Sequence, residues 1–389
     1  MNTEAVLFGL IRSVICGEAV SEELKAACTP ERLEAVYTLA VKQDLAHLVG
    51  QALSMLTLPE CETQKKSKKA AVGAFGRYVR LEREYQQVCQ TLEAAQIYFI
   101  PLKGAVLRAY YPEPWMRTSC DVDILVQKRQ LNAASKLLTE TLGYRLVETT
   151  GHDLSFYSPT GIHIELHFDL VEDGRANASA QVLSRAWEAA KPLQGYHFWH
   201  EMSDAYFYFY HIAHMAKHFE TGGCGVRPFV DLWLLDNRVT SELTQRDELL
   251  QAGNLLQFAQ AVRKLSRVWL AGEEEDPLSK KLQDFLLHGG LYGSAENRIA
   301  LKKTENFSRG HYLRSRIFAP YEKLKAYYPI LEKYRWLMPV MQVRRWFMLL
   351  KPSVFRMAKS ELVASKCIDT NKTTGENLME AIGLHPSNW

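Results

Sequence analysis

Three carboxylates could share one piece of chemistry: Asp121 and Asp123 in the run DVDILV, and Glu165 in the run IHIELHFDL. Side chains alternate across a β-strand, so Asp121 and Asp123 point to one face while Val122 and Ile124 point to the other. The same alternation sets Ile162, Ile164, Leu166 and Phe168 on an apolar face, and His163, Glu165, His167 and Asp169 on the opposite one. If the two strands are neighbours, their carboxylates converge on one patch of sheet. Clustered carboxylates repel, and one of them takes up a proton unless a cation intervenes. Oxygen-rich sites of this kind suit Mg²⁺ or Mn²⁺, which otherwise prefer water and phosphate. An isolated D-x-D is more often a pair of aspartates on an exposed edge or in a turn. Here the strand is otherwise apolar, a second acidic strand follows it, and a glycine turn precedes it.

That turn is PLKGAVLRAYY. Gly104 stands where a strand gives way to a helix, and the free N–H groups of a helix start attract phosphate. Lys103 adds a point charge beside it, and Arg117, just ahead of the D-x-D strand, is a further phosphate candidate.

L-K-G, then R-x-x-x-D-V-D-I-L-V, then E-L-H-F together resemble the DNA polymerase β-like nucleotidyltransferase superfamily over Leu102 to Phe168. The chain is more closely similar to a bacterial nucleotidyltransferase-like branch that carries L-K-G in place of the usual Gly-Gly or Gly-Ser. That likeness extends to H-x-x-H-x-x-x-H and a following R-x-x-x-D, here His211, His214, His218, Arg227 and Asp231, and covers nearly the full length. The resemblance implies a role for each matching residue. Asp121 and Asp123 would be the paired metal-binding aspartates, Glu165 the third carboxylate on the acceptor side, and Gly104 the phosphate-turn glycine. His214 would lie over the cleft. The implied reaction is in-line attack of an acceptor hydroxyl on the α-phosphorus of a nucleoside triphosphate, with pyrophosphate leaving and two metal ions assisting. Lys103 in place of a small residue, and a long gap from Gly104 to Asp121, depart from the superfamily pattern at the triphosphate grip.

The residues themselves leave alternatives open for the other candidates. His214 and His218 are four apart, as a helix-borne zinc pair would be, but no third ligand at suitable spacing stands out. Packing, or contact with substrate, is the competing role. Arg227 and Asp231 could form an i,i+4 ion pair of little consequence, or Arg227 could reach phosphate with Asp231 orienting it. His167 would support a metal site from behind, or simply pack.

Mixed α/β structure must position these groups. IYFIPL, DVDILV, YRLVE, DLSFYS and IHIELHFDL read as strands, with RQLNAASKLLTETLGY an amphipathic helix among them. The expected fold is α+β: a small mixed-sheet nucleotidyltransferase core over residues 96–170, flanked by a helical N-terminal region over 1–95 and a helical C-terminal region over 171–365. In the N-terminal region Pro30 opens one helix, and a long one runs from Lys65 to Ala95. Residues 366–389 read as a weakly ordered tail.

Composition agrees with a soluble globular chain, 47% hydrophobic and 23% charged. The seven cysteines are scattered with no C-x-x-C, which argues against a disulfide framework and for a reducing, cytoplasmic setting. The apolar stretch near Ala205 to Ala216 is too short to span a bilayer. The net charge of +3 conceals a basic segment, Phe307 to Lys359, with twelve Lys or Arg against two acidic residues. Such an excess suits an anionic partner or a solvated helix face. The expected function is a metal-dependent nucleotidyltransferase using ATP or another nucleoside triphosphate, with an unidentified small molecule, protein or RNA as acceptor. Its rivals are a non-catalytic nucleotide- or partner-binding protein on the same fold, and an RNA-directed enzyme or RNA-binding protein.

Overall fold

The computed structural model describes residues 1–58, 61–171, 176–220, 222–239 and 241–289, parts of 314–348, and 374–384. Five helices come first: α1 (Thr3–Ile15), α2 (Glu22–Ala27), α3 (Pro30–Lys42), α4 (Ala46–Ser54) and α5 (Glu62–Ala94). Thr29 caps α3 by accepting the Arg32 N–H, and Pro30 at the first turn gives up no needed donor. Helices α4 and α5 pack so closely that a Cβ on Gly50 would lie 2.1 Å from the Ser67 carbonyl oxygen, so only glycine is accommodated there.

A five-stranded sheet follows, in the order β1 (Phe99–Pro101), β2 (Asp121–Val126), β5 (His163–His167), β4 (Asp153–Tyr157), β3 (Arg145–Thr149). β2 and β5 are parallel and the other pairs antiparallel, so this is a mixed sheet. Between β1 and β2 lies a single helical turn, α6 (Gly104–Leu107), and α7 (Leu131–Lys136) follows β2. One sheet face, with Val122, Ile124, Val126, Ile164 and Leu166, buries itself against Leu81, Tyr85, Val88 and Leu92 of α5 and against α7. The other face carries the polar residues of β2 and β5.

After α8 (Ala178–Leu183), the residues Ala190–Pro192 and His200–Met202 form a two-stranded ribbon, β6 and β7, where a helical region was expected. The segment GYHFWHEM between and within them is rich in aromatic residues, which favour strands. Helices α9 (Asp204–Glu220), α10 (Arg227–Arg238), α11 (Leu243–Ala252), α12 (Leu256–Ala271) and α13 (Pro277–Gly289) then complete the body. They share one core with α1 and α4, and the rings of Phe8 in α1 and Trp269 in α12 stack at 4.6 Å. The fold is α+β, with helices flanking a small mixed sheet.

Two C-terminal expectations meet the structure differently. Within 366–389 the run Thr374–Ala381 is helical, and Leu378, Met379, Ile382 and Leu384 are buried in the main core, so this part is docked rather than weakly ordered. Its apolar residues recur at helical spacing, which a search for polar, threonine-rich composition overlooks. Much of the basic segment Phe307 to Lys359, including Lys351, lies outside the described residues. Within them, Met338–Met348 is a helix, and the Arg344 guanidinium lies over the Tyr328 ring at 5.6 Å. Among the described residues no helix is long and apolar enough to cross a membrane.

Candidate functional site

The parallel pairing of β2 and β5 sets Asp121 opposite His163, Asp123 opposite Glu165 and Leu125 opposite His167. Strand alternation then turns all three carboxylates toward the same side. Asp123 is 2% exposed, and one of its oxygens, Oδ1, has two partners: Lys103 Nζ at 2.8 Å and His167 Nε2 at 3.0 Å. His167 Nε2 also lies 3.4 Å from Glu165 Oε2, and His163 Nδ1 lies 3.7 Å from Glu165 Oε1. Asp169 falls beyond the end of β5, where it accepts the Val171 N–H instead of joining the cluster.

The electrostatics differ sharply between the two aspartates. Burial raises the Asp121 carboxyl above the usual carboxylate range, and the charge of Asp123 adds to the effect. Burial works the same way on Asp123, but the Lys103 ammonium and the His167 ring bonded to it hold its carboxyl well below that range. Burial disfavours a charged His167, yet its bonds to Asp123 and Glu165 outweigh this and raise its pKa. Nε2 must carry the proton, because both of its neighbours are acceptors. Asp121 is thus the carboxylate with an unmet demand for positive charge.

The turn ahead of β2 is tightly built. Lys103 adopts φ 43° and ψ −114°, a positive-φ conformation uncommon outside glycine. The Leu102 N–H donates to the Asp123 carbonyl oxygen at 3.0 Å, which pins the turn to β2. A Cβ on Gly104 would stand 2.7 Å from Arg117 Nη1 and 3.2 Å from Ser119 Oγ, so glycine permits the close approach of both. The α-helix that Gly104 opens is a single turn, Gly104–Leu107, and a 3-10 turn over Arg108–Tyr110 continues it, so AVLRAYY is helical as expected. One turn carries little dipole, so an anion here would gain more from close approach than from helix polarity.

Arg117 and Arg227 are held differently from the sequence expectation. Asp231 grips Arg117 through two bonds, Nε to Oδ1 at 2.8 Å and Nη2 to Oδ2 at 3.0 Å, and the Tyr111 hydroxyl donates to Oδ1 at 2.8 Å. Asp231 therefore orients Arg117 and neither pairs with nor orients Arg227. Arg227 is the first residue of α10 and reaches back to the Thr118 carbonyl oxygen at 2.7 Å and to Asp44 Oδ2 at 3.4 Å. Its buried Nε has no hydrogen-bond partner.

Helix α9 covers the polar sheet face and closes a cleft of about 260 Å³. Lys103, Gly104, Arg117, Asp121, Asp123, Glu165, His214, Arg227 and Asp231 all line it, so the structure brings every site residue singled out from sequence to one place. Burial and the Lys103 charge keep the His214 ring neutral, with its pKa well below the usual value. His211 is bonded to the Pro228 carbonyl oxygen at 3.0 Å. Among the described residues none of His211, His214 and His218 belongs to a group of three or more potential ligands within 4.8 Å of one another. The groups that can hold a metal are Asp121–His163–Glu165, Asp123–Glu165–His167 and His152–Asp153–His167, each with ligand atoms within 4.8 Å of one another.

Residues 29–271 match the model of a family described as an uncharacterised nucleotidyltransferase. The chain belongs to that family. The match covers more than half of the sequence and contains the whole sheet and every residue that lines the cleft. The protein is accordingly a nucleotidyltransferase, an enzyme class whose donor is a nucleoside triphosphate. No curated protein and no solved structure matches the chain.

Several residues of this enzyme's cleft escaped the sequence. Ser119 and Tyr210 line it, and Asp44 anchors Arg227 from the N-terminal helices. Ser119 had a signal, its place between Arg117 and Asp121. Asp44 had none, because its partner is 183 residues away.

Proposed function

We propose that this enzyme transfers a nucleoside monophosphate from ATP or another nucleoside triphosphate to an acceptor hydroxyl, using Mg²⁺ or Mn²⁺ held by Asp121, Asp123 and Glu165. The proposal includes its place in the DNA polymerase β-like superfamily. The observation that carries it is the in-register pairing of Asp123 with Glu165, with Asp121 on the same face of the same cleft. The donor set suits a hard divalent ion: Glu165 has a ligand atom within 4.8 Å of one on Asp121 in one group and of one on Asp123 in another, and the ionisation of Asp121 is disfavoured by burial and by Asp123. When bound, the ion supplies Lewis-acid stabilisation of charge on the phosphoryl oxygens.

The remaining work falls to the chain's own residues. The bond that forms joins the acceptor oxygen to the α-phosphorus, the bond that breaks is the α–β phosphoanhydride, and pyrophosphate leaves. Glu165 stands on the acceptor side and takes the hydroxyl proton. Gly104 lets the backbone approach the triphosphate, and Arg227, 23% exposed in the cleft wall, offers its guanidinium to a phosphate oxygen. Arg117, locked by Asp231, and His214, held neutral, shape the walls. Positioning and charge stabilisation carry most of the rate.

The test is incubation with labelled nucleoside triphosphates, Mg²⁺ or Mn²⁺ and a cell extract. Label is expected to enter one class of molecule, and Asp121→Asn or Asp123→Asn to abolish this with the fold retained. Near wild-type labelling by either variant would refute the proposal.

A further inference from the structure

We infer that the cleft takes one divalent ion and that the Lys103 ammonium occupies the position of a second. The inference rests on the nucleotidyltransferase reading above and concerns how its charge is supplied. In a two-metal centre the ions lie about 3.5–4 Å apart and share a bridging carboxylate that gives one oxygen to each. Asp123 is the carboxylate placed to bridge, since it sits between Asp121 on its own strand and Glu165 across the parallel pair. Its Oδ1 already accepts from Lys103 Nζ at 2.8 Å and from His167 Nε2 at 3.0 Å. An oxygen with two donors has both lone-pair directions engaged, which leaves Asp123 only Oδ2 for a metal ion.

The candidate ligand groups divide in the same way. Asp123, Glu165 and His167 make up the group that Lys103 enters, whereas Asp121, His163 and Glu165 make up a second. Among the described residues no side chain donates a hydrogen bond to the Asp121 carboxylate, so the ion's place is beside Asp121 and Glu165 of this second group, with Asp123 contributing Oδ2 alone.

Lys103 does not reach Asp123 as a loose surface side chain. Its backbone holds φ 43°, the adjoining Leu102 N–H is bonded to the Asp123 carbonyl oxygen, and its side chain is only 25% exposed. It lies in the cleft wall with Tyr210 and His214 of α9. The cation is delivered to the carboxylate by the turn itself. Lys103 is therefore a built-in counter-charge beside the reaction centre.

Mn²⁺ is the probe, because electron paramagnetic resonance both counts it and reveals pairs. The full chain, saturated with a non-hydrolysable ATP analogue, is expected to hold one Mn²⁺ with the six-line spectrum of an isolated ion. Lys103→Met is expected to hold two, spin-coupled, and Lys103→Arg to return to one. Lys103→Gly, which relieves the positive-φ backbone, serves as a second variant if the methionine form does not fold. Two coupled ions in the wild type would overturn the inference, and so would a single ion in both the methionine and glycine variants. Failure of the underlying reading looks different: no Mn²⁺ bound with the analogue, or an ion count that Asp121→Asn leaves unchanged.

Discussion

Asp231→Asn removes the negative member of the buried pair that fixes Arg117 beside Gly104. Asp231 is 1% exposed and accepts three hydrogen bonds, two from Arg117 and one from Tyr111. Asparagine keeps the shape and one acceptor oxygen, but it turns an N–H toward a guanidinium N–H and leaves a buried positive charge uncompensated. Breaking such a pair from one side costs about 3–5 kcal/mol, against roughly 5–15 kcal/mol for a whole domain. The urea midpoint at pH 7 is expected to fall by the equivalent of that loss. Arg117→Met combined with Asp231→Asn has no orphaned charge and is expected to recover part of it. Burial works against ionised Asp231, but Arg117 holds its carboxyl below the usual range. Its contribution is thus present above the ordinary carboxylate value, about pH 4, and fades as pH falls below it, so the difference between wild type and variant should close there. A loss under about 1 kcal/mol, or a double variant no better than the sum of the singles, would refute the reasoning.

Gly104→Ala places a Cβ 2.7 Å from a guanidinium that Asp231 prevents from retreating, so an overpacking loss of about 1–3 kcal/mol and weakened nucleotide binding are expected in thermal melts with and without nucleotide. An alanine variant with wild-type melting and binding would mean the turn has room. Burial keeps His211 neutral below its usual pKa, so the unfolded chain gains a proton first as pH drops below about 6.5, and folding weakens by up to about 1.4 kcal/mol per pH unit. His211→Asn should remove that share of the slope in urea midpoints measured from pH 5 to 7. Ile382→Ala empties a fully buried site and is expected to cost about 2–5 kcal/mol; an unchanged melting temperature would show that the C-terminal helix is not part of the cooperative core.

The strands around the site were legible because their alternation is local. The patterns of DVDILV and IHIELHFDL set the core and cleft faces before any tertiary contact is known, and the parallel register brings Asp123 and Glu165 together. Partner choice among charges was not legible. Arg227 and Asp231 are four apart on one helix, yet the carboxylate turns inward to Arg117, 114 residues earlier, because there it meets a fully buried guanidinium and a tyrosine hydroxyl. The same limit applies to Lys103. Its position before a glycine suggests a phosphate contact, but the positive-φ turn aims it at Asp123, and no local pattern encodes that angle. The β6–β7 ribbon and the docked C-terminal helix were missed for a different reason: each is short and is stabilised by the body against which it packs.

These partnerships also decide which cation a triphosphate meets first. Arg117 has two of its nitrogens bound to Asp231, Lys103 is bonded to Asp123, and Arg108 donates to Ser119 Oγ at 2.8 Å. Recruiting Arg117 would mean breaking a buried bidentate pair, a penalty of several kcal/mol that a single phosphate contact does not offset. Arg227 has no buried carboxylate partner, and its Nη1 donates to the Thr118 carbonyl oxygen at 2.7 Å. Its side chain is 23% exposed, and its carboxylate neighbour Asp44 stands at 3.4 Å. An ion pair of that kind contributes about 0–1 kcal/mol, so a phosphate oxygen competes with it easily. In the proposed reaction Arg227 is thus the cation that grips substrate, while Arg117 packs against Gly104 at the triphosphate turn. Two arginines that looked equivalent in sequence divide the work because one is gripped by a buried carboxylate and the other is not.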